Sequence, residues 1–263
     1  MNSSLHPVAR AAINAVITIA VILLLWQLVV SLASPFVAKG PIQVAEFLFG
    51  EDAAEHQAAM WPLLAQTLID AAIGFGIGLL IATVFAIAFS MSKTIEASVM
   101  PLALLLRTIP LVAIAPVILL ITGRASTASV AAIGTIVVLF PALAVILFGL
   151  SRASQQSLDV VAVYGGGRWT QLMKVSLPGA LPSLFAAARV AVPGAVTGAL
   201  LAEWLSTGQG IGGAILRFST AAKFEELWSS VAIITFVTLV LYNLVRILED
   251  AVLARMHMAG TEL

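Results

Sequence analysis

Residues 151–181 read SRASQQSLDVVAVYGGGRWTQLMKVSLPGAL, and the chain on either side of them differs in kind. Between Arg124 and Arg152 there is no charged residue, and between about Pro178 and Glu203 there is only Arg189. Each flank is long enough to cross a bilayer, which takes roughly 20 apolar residues rising about 1.5 Å each. The quoted stretch cannot cross one, because it carries Arg152, Asp159, Arg168 and Lys174 and a run of three glycines. A polar island between two spans sets the class of the protein. The flanking runs are continuous and lack the alternation of barrel strands, so they are helices.

The same pattern extends outward. Of 263 residues, 61% are hydrophobic and 10% are charged, against roughly 25% charged in soluble proteins. Thirteen Lys plus Arg balance thirteen Asp plus Glu. A soluble domain of this length needs a charged shell that these residues cannot supply. The apolar excess excludes disorder, and the absent basic surplus leaves nucleic-acid binding unsupported. The chain has no Cys, which removes disulfides, thiolate catalysis and Cys-ligated metals. His6, His56 and His257 are scattered without metal-ligand spacing, so no metal site is expected.

Gaps between charges predict six helices, at about 12–33, 67–90, 98–121, 127–149, 181–202 and 229–249. The first could pass for a signal peptide, but its apolar core is too long and it reads as an uncleaved anchor. The third must carry Arg107. A central Arg costs about 2.5–3.5 kcal/mol on the insertion scale. The fourteen Leu, Ile and Val between Val99 and Ile121 return about 4–8 kcal/mol, so the apolar side wins. Pro101, Pro110 and Pro116 make this helix the least regular. With the N-terminus inside, inner segments hold seven Lys or Arg and outer ones four, while most acids lie outside. Both termini are therefore expected to be cytoplasmic. Segments 34–66 and 203–228 become outer loops, and 150–180 the large inner one. No internal repeat supports the inverted symmetry of many secondary transporters.

Within the island, Ser157 is a plausible N-cap for a helix at 158–164, with Asp159 in its first turn. Gly165-Gly166-Gly167 ends that helix. A second helix fits 168–176, with Trp169, Leu172 and Met173 on one face and Arg168, Thr170, Gln171 and Lys174 on the other. Leu177-Pro178 is expected to stop it. The product is a helix–turn–helix knob with an apolar ridge and a basic rim, suited to a groove in a partner protein.

These residues resemble a known family. Asp159-Val160-Val161, three residues, Gly165, nine residues, then Val175-Ser176-Leu177-Pro178 is similar to the EAA loop of ATP-binding-cassette (ABC) importer permeases, whose pattern is Glu-Ala-Ala, three residues, Gly, nine residues, Ile-x-Leu-Pro. Asp replaces Glu and two Val replace two Ala, while the Gly, the Leu-Pro and both gaps match. Pro101, Arg107, Pro110, Ala113, Pro116 and Gly123 resemble the third span of permeases for nitrate, sulfonates, taurine and thiamine-precursor pyrimidines. Leu181-Pro182, Arg189, Ala191, Ala202-Glu203-Trp204 and Gly208-x-Gly210-Ile211-Gly212 resemble that group's fifth span and outer loop. The sequence departs from the group at Ile121-Thr122-Gly123-Arg124, where an aromatic-Gly-x-Gly-acid turn is usual.

The resemblance implies an all-α polytopic membrane protein of the type I ABC importer permease fold, with about six transmembrane helices and a cytoplasmic coupling helix. It implies an anchor and outer loop at 1–64, a permease domain at 65–255 with its coupling loop at 150–180, and a tail at 256–263. Asp159, Gly165, Arg168, Trp169, Leu172, Met173, Leu177 and Pro178 would form the surface that docks on an ATPase. Implied partners are cytoplasmic ABC ATPase subunits, an extracytoplasmic solute-binding protein and a second permease copy in a bacterial inner membrane. ATP and Mg would sit on the ATPase, and this chain would bind no cofactor and catalyse no reaction. It has no G-x-x-x-x-G-K-[ST] sequence.

Other features carry two readings each. Arg107 and Arg189 could contact solute along the translocation pathway, with Pro110 at its bend, or serve as framework by snorkelling or pairing with a helix end. Glu203 could belong to an outer gate or be merely solvated. Asp70 suits a helix N-terminus without a transport role. The glycines at 208–213 follow a membrane helix rather than a strand, which favours a turn or re-entrant segment over nucleotide binding. Trp61, Trp204 and Trp228 suit an interfacial belt. The alternative from a different class is an ion-coupled secondary transporter or channel, which leaves the inner knob unexplained. An intramembrane enzyme would need paired carboxylates, a His cluster or a Ser–His pair in the spans.

Overall fold

The computed structural model describes residues 7–256, and side chains from residue 13 onward except those of 102–104, 106 and 107. Every regular element among the described residues is helical. In order they are α1 (Pro7–Ser31), α2 (Pro41–Phe49), α3 (Ala53–Met91), α4 (Lys93–Thr108), α5 (Leu111–Thr122), α6 (Thr127–Ser151), α7 (Gln155–Val163), α8 (Arg168–Gln171), α9 (Leu177–Gly179), α10 (Leu181–Ala202), α11 (Gly210–Thr220) and α12 (Phe224–Arg255). A π-helical turn, Leu172–Ser176, joins α8 to α9, and a second one, Glu203–Thr207, extends α10. Five of the described helices are long and apolar enough to cross a membrane: Ile13–Ser31, Ala53–Met91, Thr127–Ser151, Leu181–Thr207 and Phe224–Arg255. The protein is an all-α polytopic membrane protein.

Two expected spans take a different form. The second begins at Ala53 rather than near 67 and runs for 39 residues. Its added turns are rich in Ala and carry Glu55, His56, Gln57 and Gln66, which suit a helix without being membrane-like, so hydropathy alone misses them. Asp70, expected at a helix start, therefore sits well inside α3. The third span is not one helix. It breaks at Pro110, which has φ −59° and ψ 120° and precedes α5. Proline lacks the amide hydrogen and crowds the preceding turn, so α4 stops at Thr108. At 12 residues, α5 is about 18 Å long and cannot cross the hydrocarbon alone. Pro62, Pro101, Pro116, Pro141 and Pro193 are accommodated inside helices.

The contacts divide the chain into two compact units, Met1–Trp61 with Ile215–Ile233, and Pro62–Ala214 with Ile234–Leu263. In the first, His56 Nδ1 lies 2.7 Å from the Phe47 carbonyl oxygen, and Gln57 Nε2 donates to the Leu48 carbonyl at 2.8 Å. The start of α3 thereby satisfies carbonyls that the end of α2 leaves unpaired. In the second, α6 and α10 pair along their lengths, and α3 joins them where three glycines meet. A Cβ on Gly74 would stand 2.8 Å from Gly134 Cα, and one on Gly198 2.9 Å from the same atom. Where lipid gives no hydrophobic drive between helices, such small residues let backbones approach and dispersion hold them together. Ala115, Leu119, Val130, Ile133 and Ala202 form the adjoining apolar core.

Candidate functional site

The 151–180 island folds as a knob, with shifted boundaries. α7 starts at Gln155, ahead of the expected 158, with Ser154 rather than Ser157 at the N-cap position. Asp159 therefore lies mid-helix, where Gln155 Nε2 donates to its Oδ1 at 2.8 Å. Gly165 turns the chain at φ +81°, a left-handed conformation that a side chain would strain. Its amide donates to the Ala162 carbonyl and that of Gly166 to the Val161 carbonyl, closing the end of α7. Gln171 Nε2 then reaches back to the Leu158 carbonyl at 3.1 Å and ties α8 to α7. Leu177-Pro178 does not stop the second helix, since helical turns continue through α9 to Gly179. Proline is tolerated there because it stands in the first turn of α9.

The expected ridge of Trp169, Leu172 and Met173 splits. Leu172 is buried, whereas Trp169 and Met173 are exposed. Three residues of α7 and its end that sequence periodicity left out, Val160, Val163 and Tyr164, are exposed as well, Val163 at 85% and Tyr164 at 88%. They lie on α7 and at its end, across the glycine turn from Trp169 and out of helical register with it. Arg168 is exposed, while Leu177 and Pro178 are half-buried. Behind the knob lies a cavity of about 700 Å³ whose walls include Lys93, Glu96, Phe148, Gln155, Arg168 and Leu172. A Lys93–Glu96 ion pair at 2.8 Å closes part of it.

Past the far end of α10 the chemistry is reversed. Glu203 is 0% exposed, which overturns the solvated reading. Its Oε2 accepts from the Gly212 amide at 2.7 Å and from Thr67 Oγ1 at 3.0 Å, and that hydroxyl oxygen accepts from the Ile211 amide at 2.8 Å. The carboxylate thus caps the start of α11, where unpaired amides and the helix dipole favour negative charge. The glycines fit this cradle: Gly208 and Gly210 have φ +66° and +59°. A Cβ on Gly210 would collide with the Glu203 carboxylate, and one on Gly212 with the Leu200 carbonyl. Asp70, also buried, lies one turn from Thr67 and accepts from Gln66 at 3.0 Å. Ser206 joins the cradle to the α5–α6 turn, bonding the Ala125 amide at 3.1 Å and Ser129 Oγ at 2.9 Å.

Residues 74–258 match the family model for the binding-protein-dependent transport system inner membrane component. The chain belongs to this family. It is 28% identical over 226 residues to a probable ABC transporter permease protein of Haemophilus influenzae, covering 85% of this chain and 90% of the relative. It is 24% identical over 233 residues to the formylaminopyrimidine transport permease protein of Halalkalibacterium halodurans, covering 88% and 91%. A chain from the crystal structure of an amino acid ABC transporter with histidines superposes with a TM-score of 0.60 at 16% identity, over 75% of this chain and 96% of that one. This last likeness concerns the fold.

The remaining expected residues take separate places in the permease. Arg189, on α10, forms an ion pair with Glu249 of α12, Nε to Oε2 at 3.0 Å. A paired cation in a span suits either role, pathway or framework, and nothing in the sequence pattern points to its partner, sixty positions downstream on the last helix. Pro110 is exposed at the α4–α5 break. The Arg107 side chain lies outside the described ones, as does the tail at 256–263 beyond Met256. The structure thus groups the loop residues with one another and sets Arg189 and Glu203 in two separate polar clusters.

Proposed function

We propose that the permease is the membrane-crossing half of a binding-protein-dependent importer, working as a homodimer with two cytoplasmic ABC ATPase subunits and an extracytoplasmic solute-binding protein. The observation that carries the reading is the exposure of Val160, Val163, Tyr164, Trp169 and Met173 on either side of the glycine turn. Large apolar side chains left exposed on both arms of one turn are the form of a docking site. ATP and Mg bind the ATPase. Closure of the ATPase dimer moves the knob, and the cavity behind it leaves room for that movement. The spans then switch between inward- and outward-open states, and the binding protein releases its solute into the path between the two copies. Asp159, Gly165, Arg168, Trp169, Leu172, Met173, Leu177 and Pro178 serve the coupling, and Arg107, Pro110, Arg189 and Glu203 shape or support the pathway. The termini are cytoplasmic.

The solute is small and polar or anionic: a sulfonate, taurine, nitrate or a thiamine-precursor pyrimidine. The relative named for formylaminopyrimidine supports the last of these. An ion-coupled carrier would need no ATPase. Co-expression of the permease with its ATPase separates the two readings. Uptake should require ATP, and the subunits should co-purify. Gly165→Leu, or Trp169→Glu, should abolish both uptake and ATPase association while membrane insertion persists. Normal ATP-driven uptake in either variant would refute the assignment of the loop.

A further inference from the structure

The short helix α2 has no part in this reading, yet its surface is sorted in an unusual way. At 100° per residue its nine positions fall into three arcs. Val44 and Phe47 are buried and form the arc that faces the rest of its own unit. The exposed remainder is divided again. Ile42, Ala45 and Phe49, with the half-buried Leu48 at the edge, make a continuous apolar arc, and Ile42 and Phe49 are each 77% exposed. Gln43 and Glu46 make the polar arc beside it. A helix surrounded by water would show polar residues over its whole exposed side. An exposed side that is half apolar and half polar fits a boundary between two solvents.

The level of α2 agrees. Gly40, which precedes it, packs against the Gln27 side chain, so that a Cβ there would lie 3.5 Å from Gln27 Cδ. Gln27 lies one turn before the end of α1, which stops at Ser31. The chain has therefore folded back to the level of the last turn of a membrane span. Three markers of the interface cluster there. Trp26 stacks on Trp228 with ring centroids 6.1 Å apart, and Trp228 Nε1 donates to the Val37 carbonyl at 2.9 Å. Lys39 pairs with Glu225 at 3.0 Å. Stacked tryptophans, of which Trp228 has its polar edge bonded, and a paired Lys are what the headgroup layer selects. Ile42 and Gln43 line a groove of about 400 Å³ with Gln27, Val30 and Ser31, so the start of α2 lies beside the last turn of α1.

We propose that α2 lies flat in the membrane–water interface, with Ile42, Ala45, Leu48 and Phe49 in the acyl chains of the leaflet where α1 ends and Gln43 and Glu46 in water. Its partner is lipid, and the contact is with acyl chains rather than anionic headgroups, because α2 contains no Lys or Arg. The helix acts as a float that sets the depth of the α1–α3 connection.

The native chain has no Cys, so single-cysteine spin labels report without background. Ile42→Cys, Ala45→Cys, Phe49→Cys, Gln43→Cys and Glu46→Cys would be made in the full chain and reconstituted in phosphatidylcholine vesicles. Power saturation then compares collision with oxygen, which partitions into lipid, and with a water-soluble nickel chelate. Oxygen should dominate at 42, 45 and 49 and the chelate at 43 and 46, so that the ratio reverses around the helix. Replacing part of the phosphatidylcholine with anionic phosphatidylglycerol should leave the reversal in place. Chelate access at 42 and 49 equal to that at 46 would place the face in water and overturn the proposal. Exclusion of both reagents at 42 and 49 would mean a protein partner or second copy covers it, and would also overturn it. Ala45→Cys only adds a thiol at an exposed position, so the apolar arc can be probed there even where Phe49→Cys fails to fold.

Discussion

At one end of α10 the permease buries a carboxylate, and at the other it leaves a tyrosine and a tryptophan in the open. Both arrangements invert the usual distribution of side chains, and they do so for opposite reasons. Glu203 is enclosed with its Oε2 bonded inside the chain, to the Gly212 amide and the Thr67 hydroxyl. Tyr164 and Trp169 are exposed although little in the chain uses their area. A buried polar group that holds a helix start and a hydroxyl of its own chain points to stability. An exposed apolar group that the chain leaves unsatisfied points to a partner. The two ends should therefore respond differently to substitution, the cradle in stability and the loop in association.

The largest effect is expected at the cradle. Glu203→Ala leaves the buried Gly212 amide without its acceptor, takes one partner from the Thr67 hydroxyl and opens a cavity, at a cost of about 4 kcal/mol. Glu203→Gln keeps an acceptor oxygen in place and should recover most of that loss. Thermal unfolding of the purified permease in detergent measures both. If Glu203→Ala melts with the wild type, the buried carboxylate is not structural and the contrast between the two ends collapses.

The middle of α10 comes next. Arg189→Ala leaves Glu249 unpaired, for a loss of about 3 kcal/mol. The double replacement Arg189→Met with Glu249→Leu should return close to wild-type stability, because an apolar pair replaces a partly buried ion pair at little cost. Unfolding midpoints of the two single variants and the double test this. A double variant that still imports solute would also exclude Arg189 from direct solute contact. A smaller loss, about 2 kcal/mol, is expected for Gly210→Ala, from the left-handed backbone and the push on the Glu203 carboxylate.

What sequence could and could not show follows the same division. The spans were legible because charge is excluded from hydrocarbon, so gaps between charges trace them. The knob was legible because its glycines and polar residues stand out between two such gaps. The 39-residue length of α3 was hidden, since its first turns are helical without being apolar. The break at Pro110 was signalled only as irregularity, because Pro101 and Pro116 offer the same local chemistry and stay within helices. Glu203 could not be told from a solvated residue, because the hydroxyl that binds it belongs to Thr67, 136 positions away. The ridge was half legible. Helical spacing pairs Trp169 with Met173, but only the folded glycine turn adds Val163 and Tyr164.

The smallest stability effect is expected at that turn, and it is the sharpest test of the comparison. Tyr164→Ser and Val163→Ser remove side chains that are almost wholly exposed, so neither should change stability by more than about 0.5 kcal/mol. The Gly165 turn and the Gln171 bond to the Leu158 carbonyl do not involve these side chains, so the knob should keep its shape. ATPase association should nonetheless fall sharply, because aromatic and apolar groups at the centre of a docking surface carry most of its binding energy. The measurements are the unfolding midpoint of the permease alone and the yield of ATPase recovered with it. An unchanged midpoint with lost recovery is the signature of a surface kept for a partner. An unchanged midpoint with full recovery would mean that α7 and its turn face solvent in the assembled importer. Docking would then rest on Trp169 and Met173, the half of the ridge that helical spacing alone predicts.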